Sequence, residues 1–236
     1  PLAEARFMQH TGHRNPFEPV SPARLAPVYH WHPFALAFLA GEVDALQVIG
    51  LPGMGKTTLL SQVRHRLALD GLEAPYTCIP TGGIAQACAV PVGPVTLMDE
   101  TDRLARADLA EILARVANIG GRVLLGTHRL HTAALRRAGF APRTIRLNPL
   151  RDPIAAAELL RSRFATLDHS AGDAWTLAPG ADRALLACSR GIPERILQIG
   201  YELFEDHGAP CIITPALVRA ATRQSARAVR PTAASR

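Results

Sequence analysis

Eight consecutive residues limit the fold more than any others: Gly50-Leu51-Pro52-Gly53-Met54-Gly55-Lys56-Thr57, the pattern G-x-x-x-x-G-K-[ST]. The short apolar run Ala45 to Gly50 precedes it, and a helix-patterned stretch from about Gly55 to Leu69 follows. A strand, a glycine-rich turn and a helix in that order wrap backbone N–H groups around one point. The positive end of the helix lies behind them. This is an anion cradle suited to the β-phosphate of a nucleotide. Gly50, Gly53 and Gly55 permit the backbone approach, while Pro52, Met54 and Thr58 complete the loop and the first helical turn. Thr57 is expected to place its hydroxyl on Mg²⁺. Lys56 is the only lysine among 26 Lys and Arg residues. A compact ammonium reaches between β- and γ-phosphates, where a guanidinium needs room for its fork. The richness in Ala, Arg, Gly and Pro accounts for the missing lysines elsewhere, and it makes the retained one more informative.

The 236 residues allow one large domain or two modest ones, and 48% hydrophobic content supplies a core. Aromatics make up only 5% of the chain, so aliphatic and alanine packing must dominate. Net charge is +6 and the pI near 9.8, which permits a polyanionic partner without demanding one. Cys78, Cys88, Cys188 and Cys211 have no C-x-x-C spacing and read as reduced thiols of a cytoplasmic protein. The histidines lack the cysteine or acid neighbours of a metal site. The longest apolar run, around Pro33 to Ala40, is too short to span a bilayer, so no membrane role is expected.

Residues 1–40 read as a lead-in rich in Pro and His, with a short helix from Pro33. Strands are expected at 45–50, 75–79, 95–98, 122–126 and 144–147. Helices are expected at 55–69, 104–118 and 131–138. This alternation over residues 41–150 predicts a three-layer α/β core with a parallel sheet. Residues 151–213 change character. Helices at 153–167, 181–189 and 193–206 each start near a proline or a capping residue and predict a small all-helical domain. Residues 214–236 form a basic C-terminal helix and tail.

Two further elements carry chemistry. The run Val95-Thr96-Leu97-Met98 ends in Asp99-Glu100, about forty residues after the loop. Asp99 is expected to hold Mg²⁺ through water, and Glu100 to orient and deprotonate an attacking water. Thr101 and Asp102 also fit a cap for the next helix. The fourth strand ends in Gly126-Thr127-His128-Arg129. Thr127 is the first choice to hydrogen-bond the water or the γ-phosphate, and His128 the second.

These elements in this order, followed by helices, resemble the AAA+ ATPases over roughly residues 15 to 207. Gly191-Ile192-Pro193-Glu194-Arg195-Ile196 is similar to the Gly-x-Pro-Arg-Arg start of the sensor-2 helix in the secretion-ATPase, transposition-helper and origin-recognition branches. Here the first arginine of that pair is Glu194, which leaves Arg195 as the lid residue for the nucleotide. Asn15-Pro16-Phe17 resembles a segment found ahead of the loop in the first of those branches, and implies a place near adenine. The resemblance implies ATP and Mg²⁺ as cofactors. It also implies a homo-oligomeric ring or filament, with an arginine completing the neighbour's site. Arg136, Arg137 and Arg143 occupy the expected stretch, and Arg137 is the choice among them.

No acid occurs after Asp206, and Arg219, Arg223, Arg227 and Arg230 are spaced by four, four and three. On a helix they form one stripe able to contact nucleic-acid phosphates without reading sequence. The first expectation is therefore a helper ATPase acting on duplex DNA with a transposase or another DNA-processing partner. A secretion or assembly ATPase and a nucleotide-dependent signalling switch are the alternatives.

Overall fold

Five apolar runs become parallel strands: β1 (Ala45–Ile49), β2 (Tyr76–Cys78), β3 (Val95–Asp99), β4 (Arg122–Thr127) and β5 (Arg143–Arg146). The structure is a computed structural model that describes residues 31–164, 175–207 and 211–228. The strand order is β2-β3-β4-β1-β5, so β4 lies between the strands that carry the loop and the acidic pair. Crossovers need connections long enough to return over a face of the sheet; α-helices supply three of the four, and the β2–β3 connection carries only the 3-10 turn Ala87–Ala89. The helices are α2 (Lys56–Leu69), α3 (Arg106–Asn118) and α4 (Thr132–Arg137), with α1 (Pro33–Leu39) ahead of the sheet.

Both faces of the sheet are covered, which is why β1 and β3 are buried throughout and β4 from Val123 onward. Alternate residues separate the two cores. Leu46, Val48, Leu97, Leu124 and Ile145 pack with Leu60, Val63 and Leu67 of α2. Ala45, Met98, Val123 and Leu125 pack with Ile112, Leu113 and Val116 of α3 and Leu135 of α4. The three layers expected from the sequence are present. Helix α1 belongs to this core and not to a lead-in, since Ala35 and Phe38 are fully buried in the α2-side cluster.

Helix α3 starts later than its periodicity suggests. Thr101–Arg103 forms a separate 3-10 turn, Leu104 is extended, and Ala105 caps the helix without a side-chain hydrogen bond. Neither Thr101 nor Asp102 serves as the cap, because both side chains are bonded to the end of β4.

A second unit begins at Pro149. Its helices are α5 (Pro153–Phe164), α6 (Ala181–Ser189), α7 (Pro193–His207) and α8 (Pro215–Ala228). Three of them open on proline, whose missing N–H is no loss at the first helical position. Phe164 stacks on Trp175 at 4.3 Å and Trp175 on Phe204 at 5.9 Å, and Leu160, Ile196 and Leu203 are also buried in this unit. The helical unit also contains a two-residue parallel pair, β6 (Thr176–Leu177) with β7 (Ile212–Ile213). Among the described residues, no helix is long and apolar enough to cross a membrane.

Candidate functional site

The loop between β1 and α2 follows the sequence expectation. Gly53 and Gly55 hold φ of 77° and 90°, values that disfavour any side chain, and Gly55 occupies the N-cap of α2. A Cβ on Gly50 would lie 3.1 Å from Leu147 Cβ and 3.2 Å from Met54 Cβ, so this residue seals the loop against β5 and its own turn. Lys56 is 5% exposed, and its ammonium donates to Gly50 O at 2.9 Å and Leu51 O at 3.2 Å. Pro52 and Thr57 are exposed at the mouth, Thr58 is half-buried, and Met54 is buried beneath.

Parallel pairing of β3 beside β4 brings the acidic pair to the same edge. Asp99 is fully buried, and the Thr57 hydroxyl donates to its Oδ2 at 2.5 Å. The Tyr76 hydroxyl approaches the same oxygen at 3.4 Å. Burial first, and Asp99 second, push the Tyr76 phenol far above its ordinary range, which keeps it a donor. The opposite wall is Gly126, where a Cβ would stand 2.2 Å from Asp99 Oδ1. Thr57 and Asp99 are therefore two oxygen donors at one point, with no side chain on the Gly126 side and the Tyr76 hydroxyl near the shared oxygen. This donor set suits a small hard cation that keeps waters and binds phosphate. Among the described residues, no group of three or more His, Cys, Asp and Glu side chains could hold a metal by itself.

Glu100 follows at φ 57°, and its amide donates to Asp99 Oδ1 at 2.9 Å. Its carboxylate lies 3.3 Å from the Arg103 guanidinium and 3.5 Å from His128 Nε2. His128 Nδ1 is 2.9 Å from Gly50 O and 3.4 Å from Lys56 Nζ. The imidazole thus stands between the lysine and the glutamate.

Thr127 requires a correction. It is fully buried, and its hydroxyl lies 3.0 Å from Asp102 Oδ2 and 2.8 Å from Arg129 O. Strand alternation explains this placement. Gly126 faces Asp99 and Leu60, so His128 shares its side, while Thr127 points the other way with Leu125. The strand-end side chain that meets Lys56 and Glu100 is His128.

Arg136 and Arg137 are exposed in the last turn of α4. Arg143 instead lies over the Phe34 ring, 5.6 Å from its centroid. In the second unit, Arg195 is exposed on α7, and Arg219 and Arg223 are exposed on α8. Arg227 falls on the same helix, while Arg230 and the Asn15-Pro16-Phe17 segment lie outside the described residues. Sequence reasoning missed Tyr76 and Arg103, and for Asp102 it offered only the fit to a helix cap. No motif announces Tyr76; its role follows from β2 pairing beside β3.

The sequence matches no protein-family model and no curated protein. Solved structures share the fold. A point mutant of Thermotoga maritima RuvB gives a TM-score of 0.57 at 18% identity, over 80% of this chain and 65% of that one. Domain III of the Thermotoga maritima replication initiation protein DnaA gives 0.62 at 14% identity, over 90% of this chain and 100% of that one. The replication initiator DnaA bound to AMPPCP and single-stranded DNA gives 0.51 at 13% identity, over 74% of this chain and 60% of that one. The chain therefore spans slightly under two thirds of the RuvB structure and the whole of domain III. Likeness at these identities carries the architecture, and the task has to be argued from the site.

Proposed function

We propose that this chain, whose fold is that of the AAA+ ATPases, binds and hydrolyses ATP and assembles in a nucleotide-dependent way on duplex DNA. One observation carries the proposal: the Thr57 hydroxyl and the buried Asp99 carboxylate meet at 2.5 Å at the mouth of the phosphate loop, with Lys56 behind and Glu100 beside them. The loop N–H groups and the N-terminus of α2 hold the β-phosphate. Lys56 exchanges its loop carbonyl partners for phosphate oxygens. Thr57 and Asp99 would hold Mg²⁺, which when bound would neutralise phosphate charge. Glu100 accepts a proton from the attacking water. His128, in the place first given to Thr127, hydrogen-bonds the γ-phosphate or the water. Arg137 completes a neighbouring subunit's site.

The DNA assignment has a different basis. The Arg219 and Arg223 pair on one exposed face, the net charge of +6 and the absence of acids after Asp206 support contact with phosphates. The fold shared with a replication initiator bound to AMPPCP and single-stranded DNA supports a DNA transaction. We favour a helper role in transposition, with a transposase or another DNA-processing factor as partner and the cytoplasm as the setting.

Glu100→Gln tests the chemistry. The variant should bind ATP as the wild type does and hold the assembled state, while turnover falls by about 10²-fold or more. Calorimetry, sedimentation and phosphate release measure these three properties. Turnover within a few fold of wild type would remove Glu100 from the water-activating role.

A further inference from the structure

Asp102 sits on the turn directly after Glu100 and ties two parts of the core together. Its Oδ2 accepts a hydrogen bond from the His128 backbone N–H and lies 3.0 Å from the Thr127 hydroxyl. One residue earlier, the Thr101 hydroxyl donates to Gly126 O at 3.1 Å. Two consecutive side chains of the turn therefore grip three consecutive residues at the end of β4.

The other carboxylate oxygen has a different environment. Asp102 Oδ1 has no hydrogen-bond partner, although the side chain is only 11% exposed. Asp102 also lines a cavity of about 470 Å³, together with Leu109, Arg129, His131, Ala134 and Arg137. Arg129 Nε is 4.0 Å from Oδ1, and His131 Nε2, itself without a hydrogen-bond partner, is 3.8 Å away. Burial holds the His131 imidazole below its ordinary range, so near neutral pH it does not supply a cation for that oxygen. A buried carboxylate with one oxygen that lacks a hydrogen bond is unfavourable for stability. Its bonded oxygen, however, holds the strand end that places His128 3.5 Å from Glu100.

We infer that Asp102 is a positioning residue: through the His128 backbone it sets the His128 imidazole against Glu100, acting on the reaction without touching the reactants. A helix cap or a core filler in its place would leave the strand end free to shift. Only the kinetic arm of the test rests on the proposed ATP hydrolysis.

Hydrogen–deuterium exchange on the full chain without nucleotide tests the clamp directly. Asp102→Ala should speed exchange at the His128 amide by roughly ten- to hundredfold, the loss of one hydrogen bond to a charged acceptor. Asp102→Asn, whose amide oxygen still accepts, should speed it less. Fragments from α2 should be unchanged in both variants. Wild-type exchange at His128 in Asp102→Ala would overturn the inference. So would acceleration spread equally over β1 and α2, which marks a packing role only. If Asp102→Ala does not fold, Asp102→Asn is compared with Thr127→Val. The latter keeps the acceptor and should leave His128 protected, and the reverse order overturns the inference. In the kinetic arm, Asp102→Asn should lower kcat several-fold with KM within about twofold. A raised KM at unchanged kcat would contradict positioning. A wild-type chain without turnover would refute the hydrolysis reading, and the exchange result would still decide the role of Asp102.

Discussion

Glu100 occupies a backbone conformation that its own side chain disfavours. At φ 57° it lies in the left-handed region, which costs a residue with a Cβ about 1–2 kcal/mol. Two hydrogen bonds depend on that turn of the backbone: its amide to Asp99 Oδ1 at 2.9 Å, and the Arg103 amide to its carbonyl at 3.0 Å. Glycine would suit the position better, so the glutamate is held there against local preference for its carboxylate. The comparison of Glu100→Gly with Glu100→Ala isolates this effect, because both lose the carboxylate and its partners. The glycine variant should be the more stable by about 1 kcal/mol in urea unfolding. An alanine variant of equal or greater stability would show that the backbone there is unstrained. The acidic pair was legible in the sequence because two carboxylates closing an apolar run are conspicuous. The turn at Glu100 was not, since nothing local signals a positive φ at a glutamate. The choice at 127 or 128 was also out of reach. Alternation fixes which residues share a face of β4, but only the sheet order tells which face meets the phosphate loop.

At the scale of elements, β3 and β4 pair as far as Met98 and Leu125, and Gly126 leaves room for the Asp99 carboxylate just beyond that pair. A methyl group there would approach Asp99 Oδ1 to 2.2 Å, with Leu60 close by. Asp99 is held by Thr57 and Tyr76 on its other oxygen, so it cannot move aside without losing those bonds. Gly126→Ala should therefore destabilise the fold by about 1–3 kcal/mol, the usual range for overpacking. It should also weaken the Mg²⁺-dependent part of nucleotide binding more than the Mg²⁺-free part. Titrations of a fluorescent ATP analogue with and without Mg²⁺, alongside thermal unfolding, measure both effects. An equal loss in the two titrations would detach Gly126 from the metal position. The elements themselves were readable because short continuous apolar runs and stretches of helical period separate cleanly over residues 41–150. Two features were not. The β6–β7 pair is two residues long, too short to express a period, and Thr101-Asp102 has the composition of a helix cap while bonding across the sheet to β4.

The whole molecule carries more positive charge than its nucleotide site needs, and helix α8 concentrates part of it. Val218 and Ala221 are buried against the helical unit, while Arg219 and Arg223 stand on the exposed side. This division was visible in the sequence as arginines spaced by four. It separates the structural face of the helix from its charged face, so the charge can be removed without disturbing the packing. Each phosphate neutralised in duplex DNA contributes about 0.9 to the slope of log affinity against log salt. Replacing Arg219 and Arg223 together by alanine should lower that slope by about 2, and weaken binding similarly for unrelated sequences. Thermal unfolding should move little, because exposed substitutions stay within about 0.5 kcal/mol. Fluorescence anisotropy with two unrelated duplexes over a salt series, with ATP present, gives the slope directly. A slope unchanged in the double variant would mean that DNA, if bound, is held elsewhere on the chain. A loss confined to one duplex would mean that these side chains read bases as well as neutralise phosphates.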